Sequence, residues 1–182
     1  EGKDAFDLMD EVEQKLKLKV TPLSFPIGMG YDFQGIYNLW EKNINLFSGD
    51  SRKNIEDTIA FSDLNNPELD RIIGQKAADK LREELELIGE VYPTFDRKEY
   101  LEGHLQPVFF GSALNNFGVR ELLDCFIDIA PSPKAKHSDT RLVEPTETKM
   151  SGFVFKIHAN MDPKHRDRLA FVKIVSGTFE RN

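Results

Sequence analysis

One cysteine, one tryptophan and no long apolar run set the first limits on this 182-residue chain. Cys125 alone cannot close an internal disulfide, which favours a reducing compartment and leads us to expect a cytoplasmic protein. No stretch approaches the roughly 20 apolar residues that a membrane-spanning helix needs. The opening "EGKDAFDLMDEVEQ" is acidic, where a secretory signal starts basic and turns apolar. His104, His137, His158 and His165 include no pair at the i, i+4 spacing of a helical metal site, so no metal centre is expected. The Gly-x-x-x-x-Gly-Lys-Ser/Thr phosphate loop occurs nowhere, and Gly2-Lys3 is followed by Asp4. There is no initiating methionine, and "VSGTFERN" stops where a strand should turn, so the chain is expected to be a piece of something longer.

What is present is ordinary globular material. The hydrophobic fraction of 40% is enough for a core, and the formal charge of −7 argues against whole-domain adhesion to nucleic acid or anionic membrane. Ala5, Leu8, Met9, Val12 and Leu16 recur at helical spacing, with acids early and Lys15 and Lys17 late, as the helix dipole favours. "KVTPLSFPIG" reads as extended. "GIYNLW", "NINLFS" and "DTIAF" read as strands. Asn66-Pro67-Glu68 opens a helix, with Asn as cap and Pro in the first turn. That helix is predicted to run unbroken through Leu69, Ile73, Ala77, Leu81, Leu85 and Ile88, with Lys80–Glu84 and Arg82–Glu86 pairs on its wet side. A short helix near Arg97–Leu101 leads to a strand at Pro107–Phe110.

The stretch "PVFFGSALNNFGVRELLDCFIDIAPSP" then passes from strand to helix through a tight loop of small residues. Ligands of open α/β folds sit past the carboxyl ends of strands, and such a loop lets backbone N–H groups approach them closely. Val119, Leu122, Leu123, Phe126, Ile127 and Ala130 give the sharpest apolar stripe in the chain. Residues 134–149 are polar and read as a linker. Beyond them the period changes to two, with Phe153, Phe155 and Ile157 on one face and a second strand in "RLAFVKIVSGTF". The carboxylates between Glu83 and Glu90 read as a solvated helix face. Trp40 and Phe47 read as packing rather than as a platform for bases, and Cys125 reads as structural.

The strand–loop–helix stretch resembles the fifth conserved motif of translational GTPases. "EGKDAFDLMDEVEQKL" resembles the segment just after the family's guanine-specifying Asn-Lys-x-Asp, a motif that is itself absent. "TPLSFPIGMGYDFQGIYNL" resembles the start of an insert in the GTPase domain of elongation factor G. "GFVFKIHANMDPKHRDRLAFVKIVSGTFE" is similar to the opening of the second, β-barrel domain, and its 159–168 loop resembles the release factor 3 class rather than elongation factor G. Asp32-Phe33-Gln34-Gly35 has the letters of the family's Asp-x-x-Gly metal-side motif but follows Gly30-Tyr31 rather than a buried strand, so it is rejected as that motif.

The resemblance implies an α/β fold: residues 1–133 as the C-terminal part of a P-loop GTPase domain with an α+β insert at about 28–106. A linker at 134–149 and the first strands of a β-barrel at 150–182 would come next. It implies GTP or GDP with Mg²⁺ as ligands of the full-length parent, with ribosomal RNA and codon-recognising release factors as partners. Ser112, Ala113 and Leu114 would form the guanine-side loop, mainly through backbone groups. Lys164, His165, Arg166 and Arg168 would contact RNA phosphate. No catalytic or metal-binding residue is expected within this stretch, and the chain by itself is expected to be inactive without a phosphate loop. An elongation factor G-like or ribosome-protection GTPase, and a non-catalytic ribosome-binding module, remain as alternatives. The strand at Pro107–Phe110 and the helix at Val119–Ala130 both expect sheet neighbours that this sequence does not supply, so self-association or an exposed apolar patch is expected.

Overall fold

The computed structural model describes residues 2–47, 58–61, 63–115, 117–159 and 167–181. They form two units, Glu1–Ala130 and Pro131–Asn182.

The first unit opens with α1 (Ala5–Leu16). The Asp4 carboxylate accepts from Phe6 N–H and caps it, and Lys17, in the left-handed region at φ 56°, ends it. Lys3 and Lys15 both pair with Glu11. Hydrogen bonding from these two ammonium groups, Lys15 first, holds the Glu11 carboxyl down to about 2. Ala5 and Met9 are buried while Leu8 and Leu16 stand exposed, so only part of the sequence stripe faces inward. The Glu13 carboxylate accepts from Val20 N–H at 2.9 Å and ties the helix to the next element.

β1 (Lys19–Pro22) pairs in parallel with β6 (Leu105–Val108), in register Lys19 with Leu105. Between these two strands in sequence, a four-stranded antiparallel sheet runs in the order β2 (Ser24–Ile27), β3 (Gly35–Asn38), β4 (Asn43–Leu46) and β5 (Thr58–Ala60). The extended reading of "KVTPLSFPIG" therefore splits at Leu23 into two strands of different sheets. A Cβ on Gly35 would lie 2.1 Å from Asn45 O, so the close approach of β3 and β4 requires glycine there. Alternation puts Tyr37 and Ile44 on the core side, against Leu69, Ile73, Ala78 and Leu81.

The helix opened by Asn66 is two helices. α2 (Pro67–Ile73) stops at Gly74, whose φ 84° and ψ 145° break the backbone, and α3 (Gln75–Val91) starts after it. Asn66 does cap α2, accepting from Glu68 N–H at 2.9 Å. The break also redirects Arg82. Its guanidinium reaches back to Asp70 on α2 at 2.7 Å, to Asp79 at 2.8 Å and to Leu64 O at 2.8 Å, so the expected pair with Glu86 is replaced by a clamp across the two helices. Lys80 pairs with Glu84 at 3.4 Å as expected. A second cluster joins α1 to α3 through Ala5, Met9, Val20, Phe25, Ile88 and Tyr92. Burial first, then Asp10 and Glu13, pushes the Tyr92 hydroxyl up to about 12.

α4 (Arg97–Glu102) leads into β6, which starts two residues earlier than expected and ends at Val108. Phe109 and Phe110 lie past its paired residues; Phe110 N–H instead donates to Ser24 Oγ at 2.8 Å. α5 (Val119–Ile129) comes next. It packs through Cys125 and Ile129 against Leu23, with Phe95, Tyr100 and Phe109 at the edge, and Glu121 is buried on the same helix. The apolar stripe read from the sequence faces the other way: Leu122, Leu123, Phe126 and Ile127 are 45%, 53%, 54% and 73% exposed. These four side chains stay exposed among the described residues, and the expected exposed apolar patch is there.

In the second unit, residues 134–149 are more than a linker. β7 (Lys136–His137) and β8 (Leu142–Val143) form a small hairpin. Arg141 clamps it through a two-pronged pair with Glu147 at 2.7 and 2.7 Å. β9 (Ser151–Ala159) and β10 (Arg168–Ser176) pair antiparallel, with irregularities after Phe171 and Ile174. The strand reading of both segments holds. Gly177, at φ 68°, lies so close to Met150 that a Cβ on it would be 2.5 Å from Met150 N.

Candidate functional site: the loop between β6 and α5

The loop from Gly111 to Gly118 closes on itself. Ser112 N–H donates to Phe117 O at 2.9 Å, and Phe117 N–H donates to Ser112 O at 3.1 Å. The neck is tight because two glycines form it. A Cβ on Gly111 would lie 2.8 Å from Phe117 O, and one on Gly118 would lie 2.5 Å from Phe110 O and 2.8 Å from the Gly111 Cα. Gly118 is also at φ 70°, where only glycine is at ease. It occupies the cap position of α5 without a side-chain cap.

Of the three residues expected to act, Ser112 shapes the turn. Its Oγ accepts from Asn115 N–H at 3.2 Å and its backbone is committed to Phe117. Ala113 and Leu114 form the tip, with Leu114 93% exposed. Among the described residues, neither Ala113 N–H nor Leu114 N–H has an acceptor. The tip therefore holds two backbone donors that are not used by the described residues.

The loop is braced from behind by residues that sequence reading assigned to packing or did not single out. Phe117 meets Phe33 at 4.8 Å between ring centroids and Phe47 at 5.3 Å. One turn into α5, Glu121 accepts from Asn45 Nδ2 at 2.6 Å in a buried bond. Trp40, by contrast, packs edge-on against Phe95 at 5.5 Å. Asp32 and Phe33 lie in the turn between β2 and β3, within the antiparallel sheet's connections. Cys125 is buried in the cluster with Leu23 and Ile129, and burial, with Asp128 and Glu41 nearby, pushes its thiol up to about 11. A thiol held protonated is a packing group rather than a nucleophile.

Of the four residues expected to contact RNA, Lys164, His165 and Arg166 lie outside the described residues. Arg168 opens β10 opposite Ala159 and is exposed. Sequence spacing did not anticipate that Glu99, Glu102 and His104 gather at the end of α4, where His104 Nδ1 lies 3.4 Å from Glu99 and 3.7 Å from Glu102. All three are exposed, so they make a solvated surface cluster. An open cleft of about 660 Å³ lies between the β2–β3 turn and the α2–α3 junction, lined by Gly28, Tyr31, Gln34, Gly74, Lys76 and Lys80 among others.

The family model for elongation factor G domain 2 matches residues 149–182. That span takes in β9 and β10, a β-type pairing compatible with the start of a β-barrel. The match concerns that segment alone, which is similar to elongation factor G domain 2. No described helix is long and apolar enough to cross a membrane.

Proposed function

We propose that this chain is part of a ribosome-associated translational GTPase, most like bacterial peptide chain release factor 3. Such a protein uses GTP to recycle codon-recognising release factors during termination. The observation that carries the wider class is the elongation factor G domain 2 match at residues 149–182. Support for the narrower one is the sequence resemblance of the 159–168 loop and of "PVFFGSALNNFGV".

Within this reading the Ala113 and Leu114 amides face the guanine base. Guanine carries an acceptor at O6 where adenine carries a donor amine. Two backbone donors at that edge accept the first and reject the second. The sequence holds no phosphate loop, so triphosphate and Mg²⁺ would be gripped by residues of the longer protein, and this chain by itself does not hydrolyse GTP. Arg168, with Lys164, His165 and Arg166, contributes positive charge toward ribosomal RNA phosphates.

The test uses the full-length protein. Ala113→Pro removes one donor, and guanosine diphosphate affinity should fall by about tenfold or more, since a lost bond to a buried acceptor costs about 1–3 kcal/mol. Adenosine diphosphate binding should stay negligible. Unchanged guanine affinity in a folded variant overturns the role of the loop. An elongation factor G-like activity is the second reading, favoured by the matched domain itself. Release factor displacement from termination complexes, set against translocation of messenger and transfer RNA, separates the two. Titrating this chain with labelled GTP and then with ribosomes tests whether it acts instead as a non-catalytic binding module.

A further inference from the structure

We propose that the four-stranded sheet positions the nucleotide-facing loop, with Phe47, Phe33 and Asn45 as its positioning residues. The purpose given to that loop rests on the function proposed above; the positioning itself does not.

Two independent contacts lead from the sheet to the loop. Phe47, just past the end of β4, packs 5.8 Å from Phe33 and 5.3 Å from Phe117. Its N–H donates to Gln34 O at 2.8 Å, so the ring is anchored to the turn that carries Phe33. Phe117 is the residue whose N–H and C=O both bond Ser112. Moving the Phe117 ring therefore moves the neck on which Ala113 and Leu114 are mounted. The second contact acts from below. Asn45 on β4 donates to Glu121 Oε1 at 2.6 Å, one helical turn after Gly118. Both residues are buried, and Asn45 Oδ1 and Glu121 Oε2 find no other partner among the described residues. A buried polar bond of this kind fixes the register of the two elements it joins, because any slip leaves further groups unpaired.

The aromatic cluster fixes where the loop begins and ends, and the amide–carboxylate bond fixes where α5 starts. Gly111 and Gly118 allow the backbones to meet at the neck. With no side-chain cap on α5, this outside bracing holds the helix start in place without bonding its free N–H groups. A change in the sheet is thus transmitted to the donors at the tip through a few named side chains rather than through the length of the chain.

Amide hydrogen exchange on this chain reads the proposal. In Phe47→Ala, protection of the Ser112 and Phe117 amides should fall by about tenfold or more, while protection of Leu81 and Ile88 within α3 changes by less than about twofold. Phe47→Tyr, which keeps the ring, should restore protection. Asn45→Ala should loosen the same two amides without touching the aromatic cluster. If Phe47→Ala lowers protection everywhere, Asn45→Ala and Phe47→Leu carry the test. Unchanged protection of Ser112 and Phe117 in folded Asn45→Ala and Phe47→Leu overturns the positioning role. The two readings fail separately. Loosened loop amides with unaltered guanine affinity in the full-length Phe47→Ala protein would leave the positioning intact and sink the guanine assignment. Unaltered amides would sink the positioning whatever the affinity does.

Discussion

Replacing Gly118 by alanine should destabilise the first unit by about 2–4 kcal/mol. Two costs add. At φ 70° a Cβ-bearing residue loses about 1 kcal/mol relative to glycine. The new Cβ would then lie 2.5 Å from Phe110 O and 2.8 Å from Gly111 Cα, both backbone atoms with little room to yield. Overpacking of that kind costs about 1–3 kcal/mol. Two controls separate the contributions. Gly103 also has a positive φ, 83°, but a Cβ there meets nothing within 4 Å, so Gly103→Ala should cost only about 1 kcal/mol. Gly89 lies within α3 in open space without a positive φ, so Gly89→Ala should stabilise by about 0.5–1 kcal/mol. Urea unfolding of the three variants, followed by helical circular dichroism, gives the order. Equal costs at Gly118 and Gly103 would refute the close approach of Phe110 to the loop neck.

The Cys125 thiol, raised by burial from 9.0 to about 11, should react with a disulfide reagent at pH 8 roughly 100-fold more slowly than an unperturbed thiol, through thiolate population alone. A group that folding holds protonated stabilises below its ordinary value. That contribution, with Tyr92's on the same side, is therefore lost as pH rises from about 9 through about 12, and alkaline unfolding should show it. Phe126→Lys with Ile127→Lys should reduce self-association in sedimentation and lower the binding of an apolar dye, since each large side chain forgoes up to about 1.5–3 kcal/mol of burial while exposed. A monodisperse parent chain with low dye binding would contradict this. The Arg141 guanidinium holds Glu147 down to about 2, so the β7–β8 hairpin keeps its clamp as pH falls below 4.5 and loses it only toward pH 2. The Arg141 Nη–H resonances should track that course, and broadening by pH 4 would argue against the pair.

The sequence is most legible where local chemistry decides the outcome. Asn66-Pro67, the period-two run at 153–157 and the strands around Tyr37 and Ile44 come through because caps, alternation and β-branched residues act within a few positions. It misleads where the partner is distant. Periodicity joins α2 to α3 because Gly74 interrupts no apolar spacing, and it pairs Arg82 with Glu86 because the return of Asp70 across the break is a tertiary event. The stripe on α5 is apolar, as its spacing says. Yet the face this chain buries carries Cys125, Ile129 and Glu121, and no spacing rule foretells a carboxylate there. The candidate loop is visible as small residues between strand and helix. Its brace is not, since Asn45 and Glu121 lie 76 positions apart.

The most direct measurement is the structure of the full-length protein with guanosine diphosphate bound. A guanine-facing loop requires the Ala113 or Leu114 amide nitrogen within about 3 Å of guanine O6, the length of an N–H···O bond. A base held elsewhere, with those amides turned to solvent, would contradict it.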